Sequence, residues 1–238
     1  MNILKRLTSI SIISILVIGF MGYGDEAPAG GLHKKVADAY GFHSFGKVEQ
    51  IRFTFNVQIG DRNVVRSWIW HPKTHGVTFL GDGKKETSVS YNRNDLTTNP
   101  AEKLKKIDAR FINDQYWLLF PLHLVWDDKA KIENTGPQKL PMGEGTGYRL
   151  VVTYPPTGGY TPGDSYELFI DKDNRISHWV FHRGGSPKPT RTTTWEDHRY
   201  FGPLTISLNH RGSDDKFRLW FTGVAVKLTG SDQWVEAE

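Results

Sequence analysis

Nine histidines and several close pairs of carboxylates are the side chains of this 238-residue sequence suited to binding a metal or moving a proton. His178 and His182 share one face of a predicted strand, but four residues of extended chain span about 13 Å, too far for both rings to hold one ion. His71 and His75 flank Pro72 in a predicted turn and can approach each other. No third ligand stands near them, so they read first as turn and surface residues. Asp127-Asp128 and Asp214-Asp215 are neighbouring acids in predicted loops, where solvated turn roles prevail. There is no P-loop, no dinucleotide fingerprint and no cysteine, so nothing in the sequence calls for a metal or another cofactor.

Gly163-Asp164-Ser165-Tyr166 matches the nucleophile block of GDSL-type esterases in letters only. Those enzymes carry the block early in an α/β chain, between a strand and a helix, whereas here it follows Pro162 and enters a predicted hairpin. With no G-x-S-x-G elbow, nucleophilic catalysis has no motif behind it, and Asp164 reads as a turn former. One enzymatic alternative stays open: an envelope hydrolase whose site is assembled from His71, His75, Asp164 or His178, brought together by the fold.

The aromatic load is the larger signal, with eight Trp, nine Tyr and thirteen Phe. Rings on a concave sheet either fill a core or line an apolar cavity. Phe53, Phe55, Trp68, Trp70, Trp117, Phe120, Trp126 and Trp179 are the candidates for such a lining.

The elements that must carry these rings are mostly strands. A short helix opens the folded part, with Leu32, Val36, Ala39 and Tyr40 in one stripe and Gly41 placed to end it. Alternation at Ile51, Phe53, Phe55, Val57 and Ile59 predicts a half-buried strand, joined through Gly60-Asp61-Arg62-Asn63 to one bearing Trp68 and Trp70. Short strands follow at about Gly76–Leu80 and Glu86–Tyr91. Asn99, Pro100 and Glu102 form a capping box for a helix over Asn99–Asn113, with Leu104, Ile107, Phe111 and Ile112 as its buried stripe. Later strands are predicted at Tyr148–Tyr154, Tyr166–Ile170, Arg175–Arg183, Thr190–Arg199, Pro203–Arg211 and Lys216–Lys227. In the last, Phe217, Leu219 and Phe221 have one parity and Val224, Val226 and Leu228 the other, which a bulge near Gly223 reconciles. The expected fold is α+β, mostly β: a strongly curved antiparallel sheet with one or two helices on its concave face, in a single domain over residues 30–238.

Residues 1–29 read as an export signal, with Lys5 and Arg6 before an apolar stretch from Leu7 to Met21 and a small-x-small site at Ala27-Pro28-Ala29. An uncleaved anchor is the alternative. Without cysteine there is no disulfide and no lipobox, so the expected location is periplasmic or secreted. If the signal ends at Gly24, 28 basic residues face 26 acidic ones, too small an excess for tracking phosphates, and nucleic acid is not an expected partner. Lys34-Lys35, Lys84-Lys85 and Lys103 with Lys105-Lys106 read as solvated faces.

The run Phe111-Ile112-Asn113-Asp114-Gln115-Tyr116-Trp117-Leu118-Leu119-Phe120-Pro121, then Thr161-Pro162-Gly163-Asp164-Ser165-Tyr166-Glu167-Leu168-Phe169-Ile170-Asp171 with Trp179 beyond it, resembles exported bacterial proteins of unassigned function. These are similar to the outer-membrane lipoprotein carrier and receptor superfamily (LolA/LolB-like). The resemblance spans about Val48 to Lys227 and implies a half-open barrel wrapped over helices, sheltering acyl chains or another apolar ligand. On that expectation the protein is a non-enzymatic carrier or sensor without cofactor. Its partners are a lipid or other hydrophobic ligand, with envelope lipoproteins among the candidates and transient membrane contact. The helix at Asn99–Asn113 is the candidate lid, and the oligomeric state stays open. A scaffold with a filled interior is the remaining alternative.

Overall fold

A computed structural model describes residues 31–83, 87–97, 100–159, 161–214 and 216–237. The expected export signal, the Asn99 cap, Lys84-Lys85, the start of the strand expected at Glu86 and Asp215 lie outside them.

Among the described residues thirteen strands and two α-helices form, in the order α1 (Leu32–Ala39), β1 (Val48–Ile59), β2 (Arg62–His71), β3 (Gly76–Gly81), β4 (Val89–Asn92), α2 (Glu102–Trp126), β5 (Lys131–Lys139), β6 (Thr146–Thr153), β7 (Ser165–Ile170), β8 (Ile176–His182), β9 (Arg191–Thr194), β10 (Glu196–Phe201), β11 (Leu204–Arg211), β12 (Phe217–Leu228) and β13 (Trp234–Val235). Every paired strand is antiparallel. The large sheet runs β10-β11-β12-β1-β2-β3-β4 with β13 beside β12, and the small sheet runs β5-β6-β7-β8-β9.

The expected curved wall is thus built from two sheets, and one chain segment joins them. β9 pairs with β8 in the small sheet, Trp195 interrupts, and β10 continues into the large sheet. A bridge between Thr193 and Gly212 ties the seam. Tyr40, just past α1, pins it from inside: its hydroxyl accepts a hydrogen bond from the Ile176 backbone N–H of β8 (3.1 Å) and lies 2.7 Å from His198 Nε2 of β10.

At the other side the wall stays open, because β4 and β5 are the free edges and α2 is the connection between them. α2 packs its apolar stripe, with Ile107, Phe111 and Ile112 all buried, into the common core. It is longer than the sequence predicts and begins later. Ala101, extended at φ −55° and ψ 139°, is the N-cap without a side-chain cap, so the proposed box does not set the start. The helix runs on through the apolar Tyr116–Pro121 run to Trp126, bending at Leu119 (φ −128°, ψ 23°) two residues ahead of Pro121. Proline lacks an N–H and crowds the preceding turn, which accounts for the bend.

Most strand expectations hold. The bulge sits at Gly223 (φ 59°), where the β1–β12 register shifts between Arg52 and Thr54 and the buried parity changes from Phe217, Leu219 and Phe221 to Val224 and Val226. Gly41 takes the left-handed position after α1 (φ 92°), as expected of a C′ glycine. Thr190–Arg199 is two strands rather than one. β5 and β13 were not expected; β5 is an edge strand with Gly136 and Pro137 inside it and little buried surface.

Candidate functional site

Two half-open clefts flank α2 and share Ile112, Tyr116 and Thr161 as a common wall. The first, about 560 Å³, lies between β1, β2 and β12 of the large sheet, α2, and β7–β9 of the small sheet. Its inner wall is aromatic because the period-two pattern of three strands and one face of α2 point rings at the same space. Trp117 of α2 packs on Trp179 of β8 with centroids 4.3 Å apart, and Phe120 meets Tyr166 at 4.9 Å. Trp179, Tyr166 and Phe181 form a further contiguous group.

Beside this cleft lies a buried polar knot. Asp114 of α2 is fully buried and accepts both arms of the Arg66 guanidinium of β2 (2.6 and 2.5 Å), the Trp68 indole N–H (2.9 Å) and the Asn113 amide (3.0 Å). Burial pushes the Asp114 carboxyl up from its ordinary range, while Arg66, Asn113 and Trp68 pull it back. The Arg66 guanidinium also lies over the Phe55 ring at 4.6 Å. A second carboxylate, Asp108, takes Arg93 Nε (2.9 Å) and the Tyr91 hydroxyl (3.0 Å), so the first half of α2, the expected lid, is fastened to the large sheet at two points.

The second cleft, about 500 Å³, is centred on the end of α2. Asp127 accepts hydrogen bonds from the Tyr116 hydroxyl (2.8 Å) and the Tyr154 hydroxyl (2.7 Å), and His123 Nδ1 is 3.1 Å from each of its oxygens. The same imidazole reaches Gln115 Oε1 through Nε2 (3.0 Å) and stacks on Tyr116 at 3.8 Å. Burial raises the Asp127 carboxyl, but His123, Tyr154 and Tyr116 outweigh it and hold the group below the usual carboxylate range. Burial and the Asp127 charge push both tyrosines up. With its hydrogen bonds made internally, this cluster fastens the end of α2 to the small sheet.

Of the eight lining candidates, Phe55, Trp117, Phe120 and Trp179 border the first cleft, and Trp70 and Trp126 the second. Phe53 and Trp68 border neither: both are buried in the core, Trp68 against Phe79 and Phe111. Among His71, His75, Asp164 and His178, only Asp164 reaches a cleft, where its Oδ1 accepts from the Gly184 N–H (2.8 Å). His71 and His75 sit at the β2–β3 turn, while His178 pairs across to Thr194 on β8–β9, so no hydrolytic set assembles from the four. Among the described residues no group of three or more His, Asp or Glu is placed to hold a metal ion.

Sequence reasoning missed Arg66, Asp114, His123 and Tyr154. Asp114 and Gln115 stand inside the quoted Phe111–Pro121 run, where two polar residues on the buried side of an apolar helix were the available signal.

No protein-family model matches the chain, and no curated protein does. Solved structures do. A DUF1329 family protein from Desulfovibrio piger is 9% identical, covering 84% of this chain and 94% of its own, with a TM-score of 0.45. A LolA superfamily protein from Nitrosomonas europaea is 6% identical over 81% and 90%, at 0.42. A domain described as a putative outer membrane lipoprotein-sorting protein from Vibrio parahaemolyticus is 11% identical over 85% and 93%, at 0.47.

Proposed function

We propose that this protein is an exported carrier or sensor, one functional unit over residues 30–238, that holds a hydrocarbon chain in the cleft between its two sheets and α2. The observation that carries the reading is the half-open cleft of about 560 Å³, walled by Phe55, Trp117, Phe120, Tyr166 and Trp179 yet left unfilled by them. That volume falls within the roughly 300–1,000 Å³ of small-molecule sites. Each methylene buried there contributes about 0.8 kcal/mol, so affinity grows with chain length and needs few polar contacts. Lipid acyl chains, those of envelope lipoproteins included, have the right chemistry, and no reacting group or cofactor is required. Among the described residues no helix is long and apolar enough to cross a membrane.

Native mass spectrometry of the purified protein, followed by organic extraction, tests this. Co-purified lipid, or a mass shift on adding fatty acids or phospholipids, is the expected result. A clean unliganded mass with no shift on addition overturns the carrier and leaves a scaffold.

A further inference from the structure

The charged side chains around the aromatic cleft are lopsided. Arg62, Arg66, Arg183 and Arg191 line it against a single acid, Asp164. Arg66 is neutralised by Asp114 and so belongs to the wall. Arg62 and Arg183 are exposed and make no side-chain hydrogen bond or ion pair to another described residue. Arg191 is half-buried, with its guanidinium over the Phe217 ring at 4.0 Å; burial lowers its pKa, and the Asp214 charge opposes that. A guanidinium held by a ring rather than by a carboxylate keeps its hydrogen-bond donors free. The second cleft shows the contrast, because Arg93 and Lys129 there face Asp127 and Asp128 in equal number.

Strand register gathers the three arginines at one end of the cleft. Arg62 pairs with Ile59 and Ile59 with Phe217, the ring beneath Arg191, so Arg62 stands two strand spacings, about 10 Å, from that ring's strand position. Arg191 pairs with Phe181, and Arg183 follows Phe181 by two residues at the end of β8. The aromatic wall therefore ends, on both sheets, in cations with little to neutralise them.

We propose that the ligand of this cleft is an anionic amphiphile: a hydrocarbon chain lying along Trp117 and Trp179, with a carboxylate or phosphate head between Arg62, Arg183 and Arg191. The proposal rests on the hydrophobic-ligand reading above and adds the sign and place of the head group. An aromatic cleft alone binds an alcohol and a fatty acid of equal length about equally. Charge-assisted hydrogen bonds from a guanidinium to an oxyanion favour the acid by about tenfold or more at low salt.

The test compares four probes of one chain length by isothermal titration calorimetry below their micellar concentrations: dodecanoate, dodecyl phosphate, dodecanol and dodecyltrimethylammonium. Both anions are expected to bind about tenfold tighter than the alcohol, with the cation weakest and the anion preference shrinking as salt is raised. In the Arg62→Gln/Arg183→Gln double variant, at two exposed positions, the dodecanoate-to-dodecanol affinity ratio is expected to fall toward one. Equal affinities for all four probes overturn the anionic head while leaving the apolar cleft standing. Failure of every probe to bind overturns the hydrophobic-ligand reading itself. Displacement of dodecanoate by millimolar inorganic phosphate would make the arginines a free-anion site and overturn the amphiphile. An unchanged ratio in the double variant overturns the assignment to these arginines, and Arg191→Gln, read the same way, serves if that variant does not fold.

Discussion

Asp114 carries the highest stakes of any single residue in the structure. A carboxylate with no exposed surface is tolerable only while its partners stay in place, and here they come from β2 and from α2 itself. Asp114→Ala leaves the Arg66 guanidinium, only 15% exposed, without its anion, and is expected to cost about 3–5 kcal/mol. Urea unfolding followed by tryptophan fluorescence measures this. The paired Asp114→Leu/Arg66→Met variant should lose clearly less, since removing both charges leaves neither stranded. The sequence displayed half of this knot. A polar pair inside an apolar helical run marks a buried polar site, but the partner is 48 residues away on another element, and no spacing rule reaches that far. Separation in sequence also hid Tyr154, 27 residues beyond Asp127. The ring positions were easier to read, because a residue's face on a strand follows from local alternation alone. Even so, alternation could not separate Phe53 from Phe55: both point inward from β1, and only the helix laid across the sheet decides which one meets the cleft.

Two glycines show how the elements are shaped, and why equal backbone angles need not carry equal weight. Gly41 and Gly223 both have positive φ, at 92° and 59°. At Gly223 a Cβ would make only an ordinary contact, with Thr54 Oγ1 at 3.9 Å, so Gly223→Ala should cost only the left-handed strain of about 1–2 kcal/mol. At Gly41 the same atom would meet the Pro203 carbonyl oxygen, because the end of α1 is pressed onto the β10–β11 turn, and backbone cannot yield as a flexible side chain does. Gly41→Ala should therefore cost more, about 2–4 kcal/mol, and loosen α1 from the seam. Thermal unfolding of the two variants side by side checks the ranking. Both glycines were legible as a helix stop and a parity change, since each leaves a local mark in the pattern. The close approach at Gly41 left none, because it depends on a turn more than 160 residues later. β5 was invisible for the opposite reason: an edge strand with two wet faces has no hydrophobic rhythm to read.

At the scale of the molecule, the wall is one curved surface only because the seam holds, and the seam is where three histidines are held neutral. His178 on β8, His198 on β10 and His210 on β11 all have pKa values lowered chiefly by burial, His210 to about 3, with the Thr194 backbone pulling the other way. His210 is completely buried among Trp117, Trp195 and Phe221. His198 Nε2 lies against the Tyr40 hydroxyl, which already accepts the Ile176 N–H and so has its own proton to donate to a neutral ring. In the unfolded chain each imidazole titrates near 6.5, so below that pH the unfolded state binds protons that the native state refuses. Stability is then complete above about pH 6.5 and falls as pH drops toward the native values. Asp127 and Glu196, lowered in the native state, add a further loss as pH falls below the ordinary carboxylate range. One buried histidine accounts for a slope of about 1.4 kcal/mol per pH unit between its two pKa values. Urea midpoints at pH 7.5, 6.0 and 5.0 should decline steadily, and His210→Leu should remove one proton's share of that decline without lowering stability at pH 7.5. A profile flat to pH 5, or a His210→Leu slope equal to that of the parent protein, would show that the seam does not exclude protons.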